Sequence, residues 1–398
     1  MKVGVFFPGF DPSAGGGYTF EQEILRSLLQ IAPQSRHSFT LFFAGEGSRE
    51  LPAVKNLKSV WVKAEKPPSK MRRRVSKAAG LLGWQALVLT PEVPLQKAVE
   101  RESIEFFWFP TVIYRWVDIP YIATVWDIQH RNQPWFPEVS QKGQWDYRES
   151  YYSTFLKRAT YILTPNAAGQ AELALFYQIP AGRFRKLPHP VPQIDSLPST
   201  NAVEAVLKKY EISRRYLFYP AQFWAHKNHA NLLKALRILL KTYHLEFDLV
   251  LCGSNQGNLP YLQSLTEEME LKEHIHFLDF IPREDMIALY SGAFALTYVT
   301  FFGPENLPPL EAFACGCPVI ASDVDGAQEQ FGDAALRVDP MSPEQIAQAV
   351  KDLNDNPELR LDLISRGRAR SQSFSSIDYV HGVLDLVDEF EPIRINWK

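Results

Sequence analysis

A chain of 398 residues is too long for one ordinary hydrophobic core, so two domains of roughly 150–200 residues are expected. Apolar content of 46% with 22% charged residues describes a soluble globular chain, and a net charge of −3 argues against nucleic acid as a main partner. Cys252, Cys315 and Cys317 are an odd set without a disulfide framework, which fits a reducing compartment. No His pair accompanies the Cys-Gly-Cys turn, so no metal site is expected there. The opening MKVGVFFPGF is cut by Pro8 and Gly9 and does not read as a secretory leader. No apolar run approaches the roughly 20 residues that span a bilayer, and a cytoplasmic location is expected.

Residues 3–7 read as a short apolar strand, 8–17 as a loop ending in Gly15, Gly16 and Gly17, and 20–31 as a helix by apolar periodicity. Strand, glycine loop and helix open a nucleotide-type α/β fold. The spacing is not Gly-x-Gly-x-x-Gly, so this is no dinucleotide fingerprint. Glycines here let a ligand approach the backbone closely, or make a turn without one. Strands follow at 39–44 and 59–62. Between Lys55 and Lys77 nine Lys or Arg face one acid, Glu65, before the apolar AAGLLGWQALVL. This reads as a solvated basic face leading into a core helix. The alternative is peripheral contact with an anionic membrane face through 55–90.

Strands are predicted at 104–109 and 121–126. The loop 127–137 carries Asp127, Gln129, His130 and Arg131, the densest polar cluster of the first half. A helix at 145–159, a strand at 161–165 and a helix at 166–176 lead to the proline-rich exit 186–192. The first domain is set at 1–195 and the second at 196–375. In the second, strands at 216–220, 248–252, 276–278, 293–299 and 317–321 alternate with helices at 231–243, 282–290 and 310–315. Helices at 343–350 and 357–374 and a tail helix from 377 close the chain. Gly303, Pro304, Asn306, Pro308 and Pro309 cannot share a regular element, so 302–309 is a loop. Alternating strands and helices imply parallel, doubly wound sheets, with a ligand held between the strand C-termini of the two halves. The polar loops that collect there include 9–17, 127–131, 221–228, 253–257, 280–282 and 303–311, which adds Gln222 and Gly253 to the site. Lys227 can meet a phosphate as a point charge, and the helix start near 310 suits a diphosphate. Glu311, one turn in, either accepts from sugar hydroxyls or merely offsets the helix dipole.

LPPLEAFACGCPVIASD, with FWAHKNHANLLKAL, GFDPSAGGG and FLDFIPREDMIALY, resembles the family 4 retaining glycosyltransferases of GT-B architecture, two Rossmann-like domains facing across a cleft. The resemblance covers nearly the whole chain and is strongest across 216–326. It implies sugar transfer from a GDP- or UDP-linked donor to a hydroxyl of a glycan or lipid-linked acceptor, with anomeric retention, no catalytic metal and no cofactor beyond the donor. It implies that Glu311 binds the donor ribose, Lys227 the diphosphate, and Phe280 and Ile281 the base. Gly16 and Gly17 would present backbone to the transfer point, Asn306 and Leu307 amides to the sugar and phosphate, and the tail helix 376–398 would complete the first domain. The chain departs from the family at Gly303, where a glutamate eight positions before Glu311 is usual. Glu305 or Asn306 is then expected to contact the sugar. Gln222 replaces an arginine, and Trp126 replaces the histidine before Asp127, so His130 is the candidate that orients the sugar or acceptor with Asp127. A Trp-Asp-x-Gln-His loop resembles a bacterial subgroup. The rival readings are a nucleotide-sugar epimerase of similar shape and a weakened nucleotide-sugar-binding scaffold.

Overall fold

Aromatic and branched runs such as KVGVFF and SFTLFFA, buried on both faces, make the interior strands of a parallel sheet. The computed structural model describes residues 1–12, 15–45, 51–63, 93–303 and 305–397. In it the first sheet contains β1 (Lys2–Phe7), β2 (Ser38–Ala44), β3 (Leu57–Val62), β4 (Phe106–Trp108), β5 (Tyr121–Thr124), β6 (Tyr161–Thr164) and β7 (Phe184–Lys186), in the order β3-β2-β1-β4-β5-β6-β7. The second contains β8 (Tyr216–Pro220), β9 (Asp248–Cys252), β10 (Ile275–Leu278), β11 (Ala295–Tyr298), β12 (Val319–Ser322) and β13 (Ala335–Val338), in the order β10-β9-β8-β11-β12-β13. Every pairing between these strands is parallel. The order reverses between β1 and β4 and again between β8 and β11. Such reversals open a crevice at the strand C-termini, and the loops after β1 and β8 border it.

Two strands escaped the sequence reading for a physical reason. β7 is three residues, FRK, at a sheet edge, and β13 is the half-exposed ALRV. Neither offers a long apolar run. The loop expected to reach Pro309 ends at Asn306, because the helix Leu307–Ala314 takes Pro308 and Pro309 into its first turn. There a missing N–H costs nothing. Part of the 127–137 loop is also helical, at Gln129–Asn132, and a further turn runs Pro137–Ser140.

The last helix, Ser376–Arg394, begins with a capping box between Ser375 and Asp378 and lies against the first domain. Phe390 stacks on Phe106 at 4.6 Å, and Tyr379 meets Phe20 edge-on at 5.5 Å. Arg36 and the Met1 amine hold Asp388 and Glu391, at 2.6 and 3.1 Å. Residues 64–92 of the basic and apolar stretch lie outside the described residues, and with them most of the expected membrane contact. Among the described residues no helix is long and apolar enough to cross a membrane.

Candidate active site

The loops after β1, β5, β8, β9 and β11 enclose a cleft of about 440 Å³ between the two sheets. Of the expected site residues, Gly16, Gly17, Asp127, Gln222, Lys227, Gly253, Phe280, Ile281, Glu305, Asn306 and Leu307 line it. His130 and Glu311 are not among the lining residues.

Lys227 ends a short turn, Ala225–Lys227, rather than opening a helix. Asn228 follows with φ 59° and starts the helix His229–Lys241. Its amide donates to the carbonyls of Val299 and Pro340, at 2.8 and 2.7 Å, which fixes this left-handed corner. The Tyr219 hydroxyl donates to the Lys227 carbonyl at 2.6 Å, and the Lys227 ammonium donates to the Tyr298 hydroxyl at 2.9 Å. Lys227 is thus a fixed positive charge in the cleft. Tyr298, at the end of an apolar strand, gave no sequence signal of this role.

Gln222 donates to Ser254 Oγ at 3.1 Å and accepts from the Trp224 indole at 2.9 Å, so it ties loops together. Gly253 serves the same packing: a Cβ there would lie 2.6 Å from the Ala221 carbonyl oxygen. Phe280, 60% exposed, and the buried Ile281 both line the cleft. An exposed aromatic ring is a surface for a flat heterocycle. Glu311 accepts from the buried Tyr290 hydroxyl at 2.9 Å and lies 3.5 Å from Arg283. Burial raises its carboxyl, against Arg283 and Tyr290.

Gly303 has φ 125°, and a Cβ there would lie 2.8 Å from Asn306 Oδ1. The Asn306 amide donates back to the Gly303 carbonyl at 3.0 Å, and Gln330 brackets the Asn306 backbone at 3.2 and 2.8 Å. A side chain at 303 would displace the Asn306 amide and strain the backbone at this positive φ. Glu305 turns inward instead. Its side chain is 3% exposed and accepts from the His189 backbone N–H at 2.5 Å. Burial pushes its carboxyl well above the usual carboxylate range.

On the facing wall, the helix Gly16–Ile31 points its N-terminus at the cleft. Its first backbone bond runs from Thr19 N–H to the Gly15 carbonyl at 3.1 Å, so the N–H groups of Gly16 and Gly17 have no partner within the helix. Asp127 lines the cleft and accepts from Arg148 at 2.5 Å and from the Gln129 N–H at 2.9 Å. Burial would raise Asp127, but these partners outweigh it and hold the carboxyl below its usual value.

His130 corrects the sequence reading. It is fully buried behind the loop, with Nε2 3.1 Å from the Tyr177 hydroxyl and 3.3 Å from Glu149. Burial, helped by Arg148, lowers it to about 4. The short helix Gln129–Asn132 turns the imidazole inward, toward the helices Gln144–Arg158 and Ala167–Tyr177. His130 anchors the 127–131 loop and does not face the cleft.

The two domains also touch directly. Glu138 accepts from the His226 backbone N–H at 2.9 Å and bonds the His226 ring. Phe136 stacks on Phe301 at 5.6 Å and meets Phe302 edge-on at 5.5 Å, while within the second domain His226 stacks on Phe302 at 4.0 Å. Burial lowers His226 to about 4, so the ring is neutral near pH 7.

Residues 204–370 match the family model of glycosyl transferases group 1. Over 243 residues the chain is 30% identical to O-antigen chain mannosyltransferase B of Escherichia coli, across 60% of this chain and 63% of that one. Over 211 residues it is 27% identical to O-antigen chain mannosyltransferase RfbU of Salmonella typhimurium, across 53% and 54%. The matches therefore span less than two thirds of either relative. Among solved structures, sucrose-phosphate synthase of Thermosynechococcus elongatus superposes with a TM-score of 0.72 at 16% identity, over 98% of each chain. WaaG, a glycosyltransferase involved in lipopolysaccharide biosynthesis, gives 0.68 at 16%, over 97% of this chain and 99% of its own. HepE of Anabaena in complex with UDP and glucose gives 0.68 at 14%, over 98% and 100%. The chain therefore has the GT-B fold, and its stretch 204–370 is matched by glycosyl transferases group 1.

Proposed function

We propose that this chain is a retaining glycosyltransferase that moves a sugar from a GDP- or UDP-linked donor to a hydroxyl of a glycan or lipid-linked acceptor in polysaccharide synthesis. The observation that carries the reading is the pairing of Lys227 with the helix start at Gly16 and Gly17 in one cleft, with Phe280 also on its wall. A base on Phe280 and Ile281 leaves the diphosphate near Lys227. When the bond from the anomeric carbon to the diphosphate breaks, negative charge grows on the leaving oxygen. Fixed positive partners stabilise that charge most where water is excluded. The acceptor oxygen then bonds to the same face of the anomeric carbon, and its proton passes to the released diphosphate. In this scheme no metal is needed, and turnover is unchanged by a chelator. The mannosyltransferases among the relatives make GDP-mannose the first donor to try. The Trp126-to-His130 loop belongs to this reading through Asp127, which faces the cleft, with His130 as its anchor.

Thermal melting with UDP, GDP, ADP and TDP tests the reading. A ligand at 100 times its Kd adds about 2.7 kcal/mol to stability, which moves Tm by several degrees. No shift with any of these nucleotides or their sugars at millimolar concentration overturns it. Tight binding without turnover on any acceptor would favour the scaffold, which Gln222 and Gly303 motivate.

A further inference from the structure

One side chain in the cleft has no partner for either of its polar atoms. His189 lies in the irregular segment after β7, between Pro188 and Pro190, whose rings restrict the backbone on both sides. Its N–H is spent on Glu305. Its ring meets Phe20 edge-on at 5.4 Å and Trp126 at 5.9 Å. The side chain is 10% exposed, lines the cleft, and has no hydrogen-bond partner at Nδ1 or Nε2. The nearest charged oxygen, Glu305 Oε2, stands 3.6 Å from Nδ1, beyond hydrogen-bond distance. Such groups are nearly always satisfied in folded proteins, and an orphan in a cleft points to a ligand.

The chemistry of the surroundings narrows what that ligand is. Burial lowers His189 to about 4, so near pH 7 the ring is neutral, with one nitrogen donating and the other accepting. A neutral ring beside the Glu305 carboxyl does not suit an anionic phosphate, which Lys227 serves elsewhere in the cleft. An exposed aromatic for a base is supplied by Phe280. What remains is an uncharged group that both donates and accepts and that has an apolar face for Phe20 and Trp126. Sugar hydroxyls on a pyranose ring have that character.

We propose that His189 binds hydroxyls of the transferred sugar and sets which hexose the cleft accepts. This rests on the reading of the cleft as a nucleoside diphosphate sugar site.

Calorimetric titration of the full chain tests it without needing the acceptor. The probes are GDP, UDP, GDP-mannose, UDP-glucose and the 2-, 3-, 4- and 6-deoxy forms of whichever sugar nucleotide binds more tightly. For His189→Phe, the affinity that the sugar adds over the bare nucleotide falls about ten-fold, while the bare nucleotide binds within about two-fold of wild type. One deoxy donor loses about ten-fold on wild type and nothing further on the variant. His189→Asn, which keeps a donor and an acceptor, falls between and guards against misfolding of the Phe variant. Wild-type affinity for the sugar nucleotide in His189→Phe overturns the proposal. So does an equal loss for bare nucleotide and sugar nucleotide in both variants, since that marks a structural role. A wild-type chain that binds no nucleotide and no sugar nucleotide overturns the functional reading and this inference together.

Discussion

Lys227 and Glu305 share one cleft and are held in opposite ways. Lys227 is fixed at both ends, by Tyr219 on its carbonyl and Tyr298 on its ammonium, and faces the cleft. Under the proposed chemistry, Lys227→Ala removes a charge that matters most in the transition state. Turnover falls about 10²–10³-fold with little change in Tm, as single-turnover rates and melting curves will read. Wild-type kinetics in that variant would remove the diphosphate role. Glu305 instead is buried, and burial raises its folded value well above the 4.5 of a free carboxyl. Folding therefore takes up a proton. The stability from this group is complete below about pH 4.5 and is lost as pH rises through the folded value. Glu305→Gln cannot ionise. Its stability relative to wild type is expected to increase as pH rises above about 4.5, as denaturant titrations at several pH values will show. A pH-independent difference contradicts the raised carboxyl.

At the scale of elements, the cleft depends on loops that approach closely and on one contact that joins the domains. Gly253 lets the loop after β9 pack on Ala221, and Gly253→Ala places a methyl 2.6 Å from that carbonyl. A cost of about 1–3 kcal/mol is expected, read as a lower denaturation midpoint. The turn at Pro137–Ser140 brings Glu138 to His226 on the other domain. Glu138→Ala leaves the buried His226 ring and N–H without this acceptor. The expected result is a weakened domain contact of about 2–5 kcal/mol, seen as a larger radius of gyration in solution scattering and a higher donor KM. Glu138→Gln keeps an acceptor oxygen and falls in between. An unchanged radius and KM would show that the contact does not hold the cleft closed.

For the molecule as a whole, the tail helix joins the end of the chain to the first sheet. Tyr379, Val380, Val383, Leu386, Val387 and Phe390 are buried by it. At about 1.5–3 kcal/mol each, they match the roughly 5–15 kcal/mol net stability of a typical domain. Removing residues 376–397 is therefore expected to unfold or aggregate the first domain, as soluble yield and hydrogen exchange over β1 and β4 will report. Alternation of apolar strands with periodic helices, and the glycines and prolines that break them, made the two parallel sheets and the loops around the cleft legible from residue order alone. These are local properties of backbone and side chain, and so were the positions of Lys227, Gly16, Gly17 and Phe280 on loops or helix starts. The direction of a side chain within a loop is not local. His130 stood in the most polar loop and turned inward because Tyr177 and Glu149, 47 and 19 residues away, supply its partners. His189 read as part of a proline-rich linker and lines the cleft because Phe20 and Trp126, from distant segments, wall it in. Glu305 is buried, rather than reaching outward, because the Gly303–Asn306 turn and the His189 backbone meet there. Residue order fixed the elements and the strand ends that border the cleft. Packing between segments far apart in sequence chose which polar groups face that cleft and which are spent inside the protein.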